Sequence, residues 1–305
     1  MKISIIGAGK LGSTIAYTLA MQNLGSELTL IDTLHPDLAK GHCLDIQHAL
    51  SMVGNMKIFS GGYETTADAD IIIIAAGMSR KSGETRMDVT GRNVEITREV
   101  ISNVLDYNQK AILILTNTPI DIMTYVALKA SSFPRERVIG SGTFLDSVRF
   151  RYLLSEIANL NPNSIQAILL GEHGDSAVPI LSTATVNGIP IVEASGLSIG
   201  DLNRVIQKAK ASPAELLALK GGSMYAPSLA MAKIVKSIIS NQHKIMPVSV
   251  YVQGEYGLEG LCLSLPVKLG RNGVEEIIEI KLTEEERRQL DISAGIIKSE
   301  INTID

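Results

Sequence analysis

His173 is the residue whose type and setting are best suited to moving a proton. It lies in Gly171-Glu172-His173-Gly174-Asp175, directly after a run of Ile and Leu that is typical of a strand. Imidazole titrates near neutral pH, so a loop histidine can give a proton to a carbonyl oxygen while a hydride reaches the carbonyl carbon. A lone loop histidine is usually not catalytic, so the hypothesis needs supporting residues. The other histidines have no comparable setting and are interpreted as helix or surface residues: His35, His42, His48 and His243.

Two residues that could support His173 occur at the start of a predicted helix. Asp146 and Arg149 are three positions apart there, which places them on one helical face. Asp146 could orient the imidazole, and Arg149 could bind a carboxylate with its planar guanidinium group. The spacing alone favours a simpler interpretation, an ordinary ion pair along the helix.

Arg80 and Arg86 lie in a glycine-containing loop that follows the apolar run at residues 71–76. Open α/β sheets bind ligands beyond the carboxyl ends of their parallel strands. An arginine in such a loop could clamp a small anion, and closure of the loop would strengthen the contact by excluding water. A solvated cationic loop is an equally good interpretation of the spacing.

A glycine motif stands between the first predicted strand and the first predicted helix. Gly7, Gly9 and Gly12 form a G-x-G-x-x-G pattern, and Asp32 ends the second strand twenty residues later. In this context the glycines let a pyrophosphate approach a helix amino terminus, and the acid binds the ribose hydroxyls of a dinucleotide. No Arg or Lys follows Asp32 to receive a 2′-phosphate, which favours NAD over NADP. The alternative is an ordinary strand–helix turn with a solvated aspartate.

Strand and helix patterns alternate through the first half of the chain. Nearly continuous apolar strands between helices predict a doubly wound parallel sheet with both faces covered, in an α/β protein. The predicted strands are 2–6, 27–31, 58–59, 71–76 and 111–116, and the predicted helices are 11–22, 37–50 and 88–106.

The second half has a mixed pattern that predicts a second, α+β domain for the substrate. It combines helices, one strand and an antiparallel meander over residues 248–281, with a charged helix from residue 283. The other predicted elements are helices at 145–156, 202–210 and 227–240 and a strand at 165–170. We place the domain boundary after residue 142, giving a dinucleotide-binding domain at 1–142 and a catalytic domain at 143–305. No Pro- or Ser-rich linker separates them, so the two halves are expected to pack closely.

Composition excludes several classes of protein. The chain has 305 residues, 45% of them hydrophobic, and a formal net charge of −4. A weakly acidic chain of this size is expected to fold around a large core and not to bind nucleic acid. No apolar run approaches the length of a membrane span, and the amino terminus lacks the apolar region of a signal peptide. With only Cys43 and Cys262, far apart, we expect two buried thiols, a cytoplasmic protein and no metal site.

Taken together and in this order, the motifs resemble the lactate/malate dehydrogenase superfamily, and the likeness covers essentially the whole chain. The resemblance implies a Rossmann domain that binds NAD and hydride transfer between the cofactor and a 2-hydroxy acid. His173 is then the acid/base, Asp146 its partner and Arg149 the residue that holds the substrate carboxylate. Arg86 would polarise the carbonyl. Lactate enzymes of the family usually carry Gln where this chain has Arg80, and malate enzymes carry Arg, so we expect a malate dehydrogenase acting on the dicarboxylates malate and oxaloacetate.

One part of the chain departs from the family pattern. The family usually has Asn-Pro after the strand that precedes the catalytic helix, with the Asn contacting substrate and nicotinamide ribose, whereas this chain has Thr116-Asn117-Thr118-Pro119. Either Asn117 keeps that role or Thr118 occupies its place, and we expect Asn117 to bind both substrate and cofactor. Asn93 is also expected to contact the cofactor.

Two other functions remain open from the sequence. The first keeps the chemistry and changes the substrate to lactate or another 2-hydroxy acid. The second is a dinucleotide-binding protein without catalysis, which the combination of His173, Asp146, Arg149 and Arg86 makes less favourable. The family also implies a homodimer or homotetramer, and the apolar residues of the 39–52 stretch could form its interface or belong to the core.

Overall fold

The first half of the chain forms a parallel sheet. The computed structural model describes residues 1–78 and 86–304, with Arg86 described by its main chain alone. The strands pair in the order β3-β2-β1-β4-β5-β6, which is that of a doubly wound sheet, the class of sheet predicted from the sequence. The four isoleucines of β4 are all buried, because helices cover both faces of the sheet. The strands are β1 Lys2–Ile6, β2 Glu27–Ile31, β3 Lys57–Gly61, β4 Ile71–Ile74, β5 Ile112–Leu115 and β6 Val138–Gly140.

The helices of this half connect the parallel strands. Their bounds are α1 Lys10–Met21, α2 Pro36–Leu50, α3 Arg86–Leu105 and α4 Ile120–Ser131. The sequence analysis did not predict α4 or β6. Helix α4 is buried over most of its length, including Ile122, Met123 and Val126, so it lacks the polar face that gives an exposed helix its periodic pattern.

The second half supplies the α+β part of the fold. The predicted meander is present, since β13 pairs antiparallel with both β12 and β14. The strand expected at 165–170 is two separate short strands, and the helix expected at 202–210 extends in both directions. The helices are α5 Phe144–Ala158, α6 Ile191–Ser195, α7 Ile199–Lys220, α8 Tyr225–Ile239 and α9 Glu284–Ile301. The strands are β7 Ile165–Gln166, β8 Leu169–Leu170, β9 Val178–Pro179, β10 Thr185–Val186, β11 Ile189–Pro190, β12 Lys244–Gln253, β13 Glu259–Gly270 and β14 Gly273–Ile277.

The two halves share one sheet. Strand β12 adds antiparallel to β6, with Ser249 opposite Gly140, so the order runs on through β12, β13 and β14. A side chain at Gly140 would clash here, because its Cβ would lie 2.3 Å from Thr124 Oγ1. A side-chain bond also crosses between the halves: Ser249 Oγ donates to Asp121 Oδ1 at 2.6 Å. The division of the chain at residue 142 stays a prediction.

The topology places a crevice at the carboxyl ends of β1, β4 and β5. The connections from β1 and β4 turn to opposite sides of the sheet, and a ligand fits between them. The loops after these strands begin at Gly7, Ala75 and Thr116.

Both cysteines are buried thiols, as the sequence analysis predicted. Burial raises the pKa of Cys43 to about 11, so this thiol stays protonated at neutral pH. Within the described ranges, none of the helices combines the length and apolar character needed to cross a bilayer.

Candidate active site

A cavity of about 320 Å³ lies beside the carboxyl ends of the central strands. Its polar lining includes Thr118, Asp146 and His173, which come from three separate segments of the chain. Asp175 and Lys210 also line it, and apolar lining is contributed by Leu169, Ala177, Ala209 and Pro213. The cavity therefore presents both proton-exchanging groups and a surface suited to a hydrocarbon group.

His173, Asp146 and Arg149 are brought together as the sequence analysis expected. Asp146 lies in the first turn of α5, and its Oδ2 is 2.5 Å from His173 Nδ1. Its other oxygen accepts from Arg149 Nη1 at 3.0 Å, so the helical ion pair and the histidine contact coexist on one carboxylate. Since a carboxylate only accepts, Nδ1 carries the hydrogen and Nε2 is left to exchange a proton with a ligand. The three side chains are between 12% and 18% exposed, so the contacts are partly shielded from water.

The charges in this cluster stabilise one another. Burial alone would lower the pKa of His173, but the charge and hydrogen bond of Asp146, with a further contribution from Asp121, raise it above its ordinary value. Burial likewise opposes ionisation of Asp146, yet the facing His173 and Arg149 hold its pKa below the usual value. The arrangement favours a protonated imidazole next to an ionised carboxylate.

Asp121 is a site residue that the sequence analysis missed. It lies in the first turn of α4, directly below the histidine loop, and its Oδ2 accepts from the main-chain N–H of His173 at 2.7 Å. Its Oδ1 accepts from Ser249 Oγ at 2.6 Å. The only sequence signal is a single acid inside the apolar run Ile120-Asp121-Ile122-Met123, which is unusual because buried carboxylates need partners.

The expected substrate contact of Asn117 stays a prediction. Asn117 is buried, and its Nδ2 donates to Thr97 Oγ1 of α3 at 2.9 Å. Thr118 lines the cavity, followed by a cis bond to Pro119. A cofactor contact of Asn117 stays a prediction; its buried Oδ1 has no hydrogen-bond partner among the described residues.

Asn93 ties two loops of the site together. Its Oδ1 accepts from Met78 N at 2.8 Å, and its Nδ2 donates to Met78 O at 3.1 Å and to Thr118 O at 2.6 Å. Both amide hydrogens are therefore used by main-chain carbonyls after β4 and β5. Its expected contact with the cofactor stays a prediction, and the contacts seen give it a role in holding Thr118 beside the cavity.

Two arginines that follow β4, Arg80 and Arg86, were expected to contact the substrate. Arg80 lies outside the described residues, and Arg86 begins α3 with only its main chain described. Their expected substrate contacts stay predictions.

The glycine loop has the shape that a dinucleotide needs. Gly7 has φ +104°, and a Cβ on Gly12 would lie 1.8 Å from Gly7 O, so these two positions allow the tight turn and the close helix–strand packing. Gly9 is the N-cap of α1 without a side-chain cap, and its missing Cβ faces open space. The first amides of α1 are thus open to an anion.

Asp32 lies beside this loop. Its Oδ2 accepts from Ala8 N and its Oδ1 from His35 N, both at 2.9 Å. These bonds fix the carboxylate at the end of β2, and its remaining lone pairs can accept ribose hydroxyls. Together with the open space over Gly9, the residues present fit an adenine dinucleotide.

The chain belongs to the lactate/malate dehydrogenase family. Its residues 1–140 match the NAD-binding domain of that family and residues 143–305 match the alpha/beta C-terminal domain. It is an NAD-dependent 2-hydroxy acid dehydrogenase, and NAD is its cofactor. An L-lactate dehydrogenase from Acetivibrio thermocellus is 40% identical over 100% of this chain and 97% of its own length.

Solved structures show the same likeness. A minor L-lactate dehydrogenase from Enterococcus mundtii superimposes with a TM-score of 0.96 at 35% identity, covering 100% of this chain and 98% of its own. A malate dehydrogenase from Cryptosporidium parvum gives a TM-score of 0.95 at 32% identity, covering 99% of this chain and 98% of its own. The fold is thus common to enzymes with different substrates and does not by itself identify the substrate.

The expectation of a malate dehydrogenase is wrong. Curated relatives between 34% and 40% identical over at least 97% of the chain are L-lactate dehydrogenases. The expectation depended on Arg80 alone. The long stem of an arginine can keep its guanidinium group in water, so the residue type does not establish contact with a second substrate carboxylate.

Proposed function

We propose that this protein is an NAD-dependent L-lactate dehydrogenase, which interconverts pyruvate and lactate. The observation that carries the proposal is the His173–Asp146–Arg149 cluster, in which His173 and Asp146 line a cavity that also has apolar lining residues. The lactate dehydrogenases that resemble the chain along its whole length support this choice of substrate.

Each residue of the cluster has a defined task in the proposed reaction. When bound, NADH supplies the hydride that reduces the carbonyl carbon. His173 gives the proton from Nε2 to the carbonyl oxygen, so the ketone becomes a hydroxyl group, and in the reverse direction it accepts that proton. Asp146 keeps the hydrogen on Nδ1 and stabilises the imidazolium before the proton leaves.

Arg149 is proposed to hold the carboxylate of the substrate. Arg149 donates to Asp146 from Nη1. A guanidinium group has five N–H donors in one plane, so others can bind a substrate carboxylate. The pyruvate methyl needs no polar partner, and Leu169, Ala177 and Ala209 provide an apolar surface for it.

The proposal is tested by following NADH oxidation with pyruvate and with oxaloacetate. We expect a higher kcat/KM for pyruvate, and His173→Asn should reduce it by about 10³-fold, the order expected when general acid catalysis is lost. His243→Asn is the matched control, because His243 also contacts a carboxylate, Glu275 Oε2 at 2.6 Å, but on the surface. Preference for oxaloacetate would refute the substrate, and unchanged activity of His173→Asn would support a protein without this catalysis.

We also infer self-association through α2, as a homodimer or homotetramer. Leu38 and Leu44 of this helix are 45% and 48% exposed, and Met52 and Val53 just beyond it are 79% and 56% exposed. An apolar patch of this kind on an enzyme surface favours an interface. Light scattering should show an oligomer that Leu44→Glu dissociates; a wild-type monomer would contradict the inference.

A cytoplasmic location stays a prediction.

A further inference from the structure

Asp121 is a buried carboxylate that the proposed mechanism does not use. Its residue is 2% exposed, and the neighbours Ile120 and Ile122 belong to the apolar core. A carboxylate in such surroundings is costly unless it is hydrogen-bonded and its charge is compensated. Its presence under the site therefore requires a physical explanation.

The contacts of Asp121 point to the histidine. One oxygen accepts from the main-chain N–H of His173 at 2.7 Å, and the other accepts from Ser249 Oγ of β12 at 2.6 Å. Ser249 is fully buried in the sheet, so it fixes the carboxylate from a rigid element. Asp146 meanwhile holds the ring at Nδ1. The histidine is thus held at two points by carboxylates from two different helices.

We propose that Asp121 is a positioning residue for His173, which fixes the main chain of the histidine loop and places a negative charge behind the imidazole. This inference rests on the proposed function, in which His173 exchanges the proton with the substrate. A histidine anchored at main chain and ring keeps Nε2 in one place, as proton transfer over hydrogen-bond distance requires.

The electrostatics agree with this role. Burial raises the pKa of Asp121 to about 6, although the hydrogen bonds from Ser249 and His173 and the charge of His173 oppose the rise. Above that pH the ionised Asp121 adds to Asp146 in raising the pKa of His173. Two other described groups act on the pair: Arg149 of α5 lowers the pKa of His173, and Glu172 raises the pKa of Asp121. Asp121 in turn raises the pKa of the Cys262 thiol on β13.

Asp121→Asn separates the charge from the contacts. Its amide oxygen can still accept from His173 N–H, and its amide hydrogens can donate to Ser249 Oγ, because a hydroxyl both donates and accepts. We expect the pKa of His173 to fall by about one pH unit, the lower end of what a nearby opposite charge produces. The fall is read from the imidazole NMR signals of the free protein, assigned with His173→Asn. The alkaline limb of kcat/KM for pyruvate reduction should move by the same amount.

Glu286→Gln is the matched control. Glu286 is a carboxylate 7% exposed that accepts from Ser182 N at 2.9 Å and from Thr283 N at 2.9 Å. Its neutralisation should change stability and leave the titration of His173 unchanged. A His173 pKa in Asp121→Asn equal to that of the wild type would overturn the proposal and leave Asp121 a structural residue.

Ser249→Ala provides a second test if Asp121→Asn does not fold. It removes one donor to the carboxylate, so Asp121 should ionise at a higher pH and the pKa of His173 should fall by a smaller amount in the same direction. An unchanged pKa in this variant would also overturn the proposal. The NMR titration needs no substrate, so a wild-type enzyme that fails to reduce pyruvate would refute the proposed function and still leave the Asp121 proposal decidable.

Discussion

Gly9 and Gly12 belong to one motif, and substituting each by alanine should have opposite consequences. A Cβ on Gly12 would lie 1.8 Å from Gly7 O, whereas an ordinary carbon–oxygen contact is about 3.3 Å, so the loop would have to move by about 1.5 Å. Overpacking of this kind costs about 1–3 kcal/mol or more. We therefore expect Gly12→Ala to lower the free energy of unfolding by at least that amount.

Gly9→Ala should leave the fold nearly intact and weaken NADH binding. The new Cβ meets no atom within 4 Å, so the loss of stability is limited to about 0.5–1 kcal/mol for a poorer N-cap. The methyl group would occupy the space through which a pyrophosphate approaches the first amides of α1. Loss of one hydrogen bond to a charged group costs about 1.5–3 kcal/mol, which corresponds to about 10- to 150-fold weaker binding.

The two variants are compared by denaturant unfolding without ligand and by NADH fluorescence titration. The expected result is a stable Gly9→Ala that binds NADH poorly and a destabilised Gly12→Ala. If Gly9→Ala binds NADH as tightly as the wild type, the pyrophosphate does not lie over Gly9, and the interpretation of the glycine loop is wrong. If Gly12→Ala unfolds like the wild type, the packing argument fails.

Three further predictions concern the cavity. Asp146→Asn should lower the pKa of His173 and reduce kcat for pyruvate by about 10²-fold at pH 7, since an adjacent charge contributes about two pKa units and about 2.7 kcal/mol. A pH–rate profile like that of the wild type would contradict this. Thr118→Val should raise KM or lower kcat for pyruvate by about tenfold, as expected for the loss of one hydrogen bond. Asn117→Ser should act mainly by lowering the stability of the protein. If steady-state kinetics instead show the larger change for Asn117→Ser, Asn117 and not Thr118 contacts the substrate. Because the pKa of Asp121 is raised in the folded state, its contribution to stability is present below about pH 4 and lost as the pH rises to about 6. In denaturant unfolding, the free energy of unfolding of the wild type relative to Asp121→Asn should therefore fall by up to about 3 kcal/mol over that window. A pH-independent difference between the two proteins would contradict this.

The sequence predicted those parts of the molecule in which a local pattern carries the information. The apolar strands and the glycine loop have short, specific signatures, and so the doubly wound sheet was found. The contact between Asp146 and His173 was also predicted, because the family resemblance assigned the two residues as partners, although the spacing alone favoured a helical ion pair.

The parts that were missed depend on burial or on side-chain direction. Helix α4 has no amphipathic period because apolar core surrounds it, and Asp121 was missed with it. The bond from Asn117 to Thr97 and the place of Thr118 in the cavity lining are side-chain details that a linear pattern does not show. The choice between lactate and malate was drawn from Arg80 alone, and one loop residue does not determine a pocket.

The pairing of β12 with β6 has a mechanical consequence. Ser249 opposite Gly140 and the bond from Ser249 to Asp121 join the amino- and carboxyl-terminal halves into a single frame. A hinge rotation of one half against the other would break these contacts. We therefore expect a ligand to reach the reaction centre without a rotation of whole halves. The same contacts lead us to expect one cooperative melting transition for the whole polypeptide, with no stage at which one half stays folded alone.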